Sequence, residues 1–100
     1  VLLGRTRFES GDAEGALAAL EQAWSQRGQL EESDILALTI LLGQAAHQVR
    51  GVDEAVAEMR EGLSMLSRRG DRAQIYLVAA EFYEDAGRYD DAIDAYGGRL

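Results

Sequence analysis

The chain has 100 residues, 47% hydrophobic and 28% charged, which fits one globular domain and is too apolar for a disordered segment. Its net charge of −8 opposes binding to a phosphate backbone. It has no cysteine, which excludes disulfides, thiolate catalysis and cysteine-ligated metal, and all ten basic residues are arginine.

Six helical segments are predicted in chain order. The first covers residues 1–9 and is broken by Ser10, Gly11 and Asp12, with Gly11 suited to a left-handed stop and Asp12 to an N-cap. The second covers residues 13–27, carries the stripe Ala16, Leu20, Ala23 and Trp24, and ends at Gly28. The third starts at Glu32 or Ser33 and runs to Val49. Ile35, Leu38, Leu42, Ala45 and their neighbours make it apolar around most of its circumference, as expected of a helix covered on several sides. Arg50 and Gly51 turn the chain into a fourth segment, residues 53–68, with a narrow stripe of Val56, Met59, Leu63 and Leu66.

Gly70 and Asp71 mark the next break. Asp71 and Gln74 have the spacing of a capping box ahead of a fifth segment at residues 72–86, broadly apolar through Ile75, Ala79, Ala80, Phe82 and Tyr83. Gly87 and Arg88 turn the chain into a sixth segment with Tyr89, Ala92, Ile93 and Tyr96, which frays at Gly97 and Gly98. No stretch alternates with period two, so no strand is expected. The longest apolar run, residues 35–42, is too short to cross a bilayer, and no leader with a basic start and a small-residue cleavage site is seen. A cytoplasmic location is expected, and the chain reads as an excerpt of a longer protein.

One interval recurs. Gly4 to Ala16, Gly43 to Ala55 and Ala80 to Ala92 are each twelve residues apart, and each pair straddles a polar break containing Gly11, Gly51 or Gly87. Small residues at matching depths let two helices approach closely, so the interval predicts three helix–turn–helix units, about residues 1–30, 31–69 and 70–100. Tyr76, Ala79, Ala80 and Tyr83, followed by Gly87, Tyr89, Ala92 and Tyr96, give the fullest pattern. Leu3-Gly4, Gly11, Ala16, Leu20 and Ala23 supply a first version of it, and Leu42-Gly43, Ala55, Met59 and Gly62 a second. These positions resemble the tetratricopeptide repeat. The period departs from that family's 34 residues, at 39 and then 37, and Thr39 stands where its tryptophan is usual. Long-period units of this sort are similar to those in arrays of bacterial transcription regulators. The resemblance implies an all-α fold of three antiparallel helix pairs stacked as a right-handed superhelix (an α-solenoid), acting as a protein-interaction scaffold. The competing expectation is a ligand-sensing or oligomerisation segment of a multidomain bacterial regulator.

In that family the first helix of each unit lines a concave groove. The corresponding stripes here contain Arg5 and Phe8, then Gln44, His47 and Gln48, then Gln74, Glu81, Glu84 and Asp85. Polarity changes along them from arginine, through amides and the one histidine, to carboxylates. The expected partner is a protein or peptide segment with a basic group near Glu81, Glu84 and Asp85. Self-association through the open ends of the stack is a further expectation. Trp24 falls on the stripe that faces the next unit and is expected to pack there.

Catalysis is not expected. One histidine and no cysteine leave no Cys–His pair or histidine metal cluster, no serine sits in a nucleophile elbow, and no glycine loop is built to cradle phosphate. Asp90, Asp91 and Asp94 lie early in a helix, where carboxylates complement the macrodipole. No cofactor, metal, nucleic acid or membrane is expected as a partner.

Overall fold

The computed structural model describes residues 12–100, and every regular element in them is helical. Helix α1 is Ala13–Trp24, followed by a 3₁₀ turn at Arg27–Gln29. Then come α2, Glu32–Arg50; α3, Val52–Leu63; α4, Arg69–Asp85; and α5, Tyr89–Tyr96. The predicted segment at residues 1–9, with Arg5, Phe8, Gly4 and the Gly11 stop, lies outside the described residues.

Local chemistry explains most of the boundaries. Asp12 is the N-cap of α1, its carboxylate accepting from the Gly15 N–H at 2.9 Å, as its residue type predicts. That helix stops at Trp24 rather than at residue 27. Arg27 folds back instead, donating to the Trp24 carbonyl at 3.0 Å with its guanidinium over the Trp24 ring. One residue, Gly51, joins α2 to α3 with φ of 98° and ψ of −179°, a region essentially reserved for glycine. At the end of α4, Gly87 has φ of 74° and the Arg88 N–H reaches the Tyr83 carbonyl at 2.8 Å, which closes the helix in the manner of a Schellman turn.

Two boundaries differ from expectation. Helix α3 ends at Leu63, not at residue 68, and Arg72 donates to the carbonyls of Leu63 and Leu66 beyond its last turn. Helix α4 starts at Arg69, so Gly70 and Asp71 lie inside its first turn and the Asp71–Gln74 capping box does not form. The cap comes from another helix. The Glu32 carboxylate of α2 accepts from the Ser67 N–H, the Ser67 hydroxyl and the Arg68 N–H, the last at 3.1 Å.

The helices pack on their chain neighbours, α1 on α2, α2 on α3, α3 on α4 and α4 on α5, and α4 also reaches back to α2. Helix α4 therefore lies in the angle between α2 and α3. The recurrent small residues sit at these contacts. Gly43, Ala55, Ala80 and Ala92 are all buried, as is Ala16. A β-carbon on Gly43 would meet Met59 of α3 at 2.9 Å, and one on Gly62 would meet Thr39 of α2 at 2.3 Å. The helices thus touch where a side chain is missing. Around these contacts Leu20, Leu38, Leu42, Met59 and Ile75 are fully buried. Thr39 is the one buried polar side chain among the described residues, and its hydroxyl is satisfied by the Ile35 carbonyl at 2.7 Å. The molecule measures 34 × 29 × 17 Å, and the short dimension is close to that of two helix layers.

Candidate functional site

The predicted groove residues on described helices fall into two groups. Gln44 of α2 and Gln74 of α4 border one shallow depression of about 370 Å³, whose floor is Leu36, Ala37, Ile40 and Leu41, with Ser33 at its edge. It lies where α4 packs beside α2, with Leu36, Ile40 and Leu41 only half-buried. An apolar floor with two amides at the rim can take an aliphatic or aromatic side chain and hydrogen-bond the backbone that carries it.

The acidic group continues along α4. Glu81, Glu84 and Asp85 are exposed, as is Gln48 on α2. They occupy the last turns of a helix with no basic residue in its final turn, so the negative end of the helix dipole adds to their charge. The Glu84 carboxylate, with Glu81 further off, holds the Tyr96 phenol of α5 above its ordinary range. Surface carboxylates in this density attract a guanidinium or ammonium group more strongly at low salt than at high salt.

His47 has a different neighbourhood from that expected of a free groove residue. It is half-buried, and its ring is stacked on Phe82 of α4 with centroids 4.2 Å apart and planes 13° from parallel. The imidazole is thus part of the α2–α4 contact as well as of the surface. Trp24 is buried on the neighbouring helices as expected, and its indole N–H donates to Glu61 of α3 at 3.0 Å.

A larger depression, about 750 Å³, was not foreseen from the sequence. It lies between the first half of α4 and the end of α5, lined by Arg69, Arg72, Ala73, Tyr76, Leu77 and Tyr96 among others. Only the packing of α5 on α4 shows them flanking an open hollow.

A second acidic surface, on the far side of α3, serves as a comparison. Burial raises the carboxyl of Glu58, and its neighbours Glu61 and Glu21 push it in the same direction. Exposed ion pairs cross the helix contacts, Arg50 with Glu21 at 3.1 Å and Arg88 with Asp53, while Arg88 also pairs with Asp91 in the first turn of α5; each contributes little to stability in water. Among the described residues no cluster of histidine, aspartate and glutamate could hold a metal ion, and no helix is long and apolar enough to cross a membrane.

No protein-family model, curated protein or solved structure matches the chain.

Proposed function

We propose that the chain is an interaction scaffold of the tetratricopeptide kind, its helices paired and stacked in a right-handed solenoid, and that it grips a peptide segment along the outer face of α2 and α4. The observation that carries the reading is that one helix bears both features. Gln74, at the rim of the apolar floor, stands two to three turns before the exposed Glu81, Glu84 and Asp85 on α4. The recurrent small residues buried at the helix contacts and the two-layer thickness support the stacked architecture. The mechanism is passive. A rigid surface offers a pocket for one apolar side chain and, about 10–15 Å further along the helix, carboxylates for a basic one, by the helical rise from Gln74 to Glu81 and Glu84. Affinity comes from matching those two features at once.

The test is a titration of labelled peptides of equal length and hydrophobicity but opposite charge. The basic peptide should bind in the micromolar range and lose about tenfold with Glu81→Arg combined with Asp85→Arg. Equal affinity for both peptides, or preference for the acidic one, contradicts the proposal.

A further inference from the structure

Helices α2 and α4 are joined at two places, and the two joints agree in register. At one end Glu32, the first residue of α2, caps the start of α4. It accepts from the Ser67 N–H, from the Ser67 hydroxyl at 3.0 Å and from the Arg68 N–H at 3.1 Å. At the other end the His47 ring is stacked on Phe82. Glu32 precedes Ser67 by 35 residues, and His47 precedes Phe82 by the same 35. The joints are fifteen residues apart in both segments. Equal offsets mean that the two helices run side by side in the same direction, without slipping, over about 22 Å.

The smaller depression lies wholly between the joints. Its α2 wall runs from Ser33 to Gln44, inside the interval from Glu32 to His47. Gln74 falls inside the interval from Ser67 to Phe82. Leu36, Ile40 and Leu41 on the floor are half-buried, whereas Leu38 and Leu42 of the same helix are buried. The hollow is therefore an incompletely packed stretch of an otherwise aligned helix pair, bracketed by one contact at each end. A cavity whose walls already stand in place needs less ordering when a ligand enters.

We infer that Glu32 and the His47–Phe82 stack are positioning groups for the α2–α4 site. They hold its walls at the spacing a bound side chain needs, and Glu32 does so without touching that side chain. This rests on the peptide-binding reading above and adds to it a coupling between the site and the joints. By linkage, a peptide in the hollow stabilises the Glu32 cap by as much as the cap favours the peptide.

The test has one arm without peptide and one with it. The chain has no cysteine, so spin labels can be attached at Asp34→Cys and Ala73→Cys, exposed positions on α2 and α4. Double electron–electron resonance should give a narrow distance distribution, and Glu32→Ala should broaden it. In titrations with the basic peptide, Glu32→Ala and His47→Ala should each weaken binding about fivefold. Glu32→Gln, which keeps one acceptor oxygen, should lose less, and His47→Phe, which keeps a flat ring against Phe82, should restore the native affinity. Asp12→Ala removes a cap from α1, away from this site, and should leave the affinity unchanged. Saturating peptide should slow hydrogen exchange at the Arg68 amide of the native chain. An unchanged label distance or full affinity in Glu32→Ala, an equal loss in Asp12→Ala, or a His47→Phe variant no better than His47→Ala overturns the inference. Failure of the native chain to bind the basic peptide contradicts the proposed function instead, and the label distances then decide the role of the Glu32 joint.

Discussion

Gly62 and Thr39 show at the residue scale why small side chains hold this fold together. Thr39 is fully buried, β-branched and tied to the Ile35 carbonyl, so it cannot move aside. A methyl group on Gly62 would overlap its Oγ1, Cγ2 and Cβ, all within 2.8 Å. Gly43 is less tightly covered, by Cγ and Sδ of Met59 at 2.9 Å, and methionine adapts its rotamers to a changed cavity. Alanine gains about 1 kcal/mol over glycine in a helix, and overpacking costs about 1–3 kcal/mol. Gly62→Ala should therefore destabilise by about 1–2 kcal/mol, lowering the thermal midpoint by roughly 5–10 °C, whereas Gly43→Ala should cost less than half as much. Thr39→Ala added to Gly62→Ala should recover part of the loss in a double-mutant cycle, read by thermal and urea denaturation. A smaller effect at Gly62 than at Gly43 would contradict this account of the α2–α3 contact.

At the scale of elements, the sequence shows which described segments are helical better than where those helices end. The 3.6-residue stripes mark α1 to α5, and Gly51 and Gly87 mark turns that only a left-handed residue can make. The start of α4 is set by a group 35 residues away in the chain. Glu32 accepts from the Ser67 and Arg68 backbone, and no local pattern announces that, so Asp71 and Gln74 imitate a cap they do not make. Arg27 and Arg72 likewise close α1 and α3 from positions beyond the last residue of each helix. The Glu32 cap has a pH signature. The Ser67 N–H, then the Arg68 N–H, lower its carboxyl below the ordinary value in the folded state. A depressed carboxylate contributes stability that is fully present above its unfolded value and is lost as pH falls through the folded value. In urea denaturation, the native chain should exceed Glu32→Gln in stability at neutral pH, and the gap should narrow on acidification below the ordinary carboxyl range. A gap constant with pH would show that the charge of Glu32 plays no part.

For the whole molecule, the twelve-residue interval between small residues was legible because close helix approach requires it, and Gly43, Ala55, Ala80 and Ala92 are buried accordingly. The surface was legible only in part. Gln44 and Gln74 border the smaller depression and Glu81, Glu84 and Asp85 are exposed. That Phe82 would stack on His47, or that α5 would leave Tyr96 beside an open hollow, depends on how the helices sit against one another, which spacing does not contain. Charge alone does not define the candidate groove, because Glu54, Glu58 and Glu61 make a second acidic surface on α3. The most direct test of the central claim is therefore amide chemical-shift mapping of the chain titrated with the basic amphipathic peptide. Shape and charge acting together predict the largest shifts at Gln44, Gln74, Glu81 and Asp85, with little change at Glu54, Glu58 and Glu61. Equal shifts on both acidic surfaces, or larger ones on α3, would contradict it.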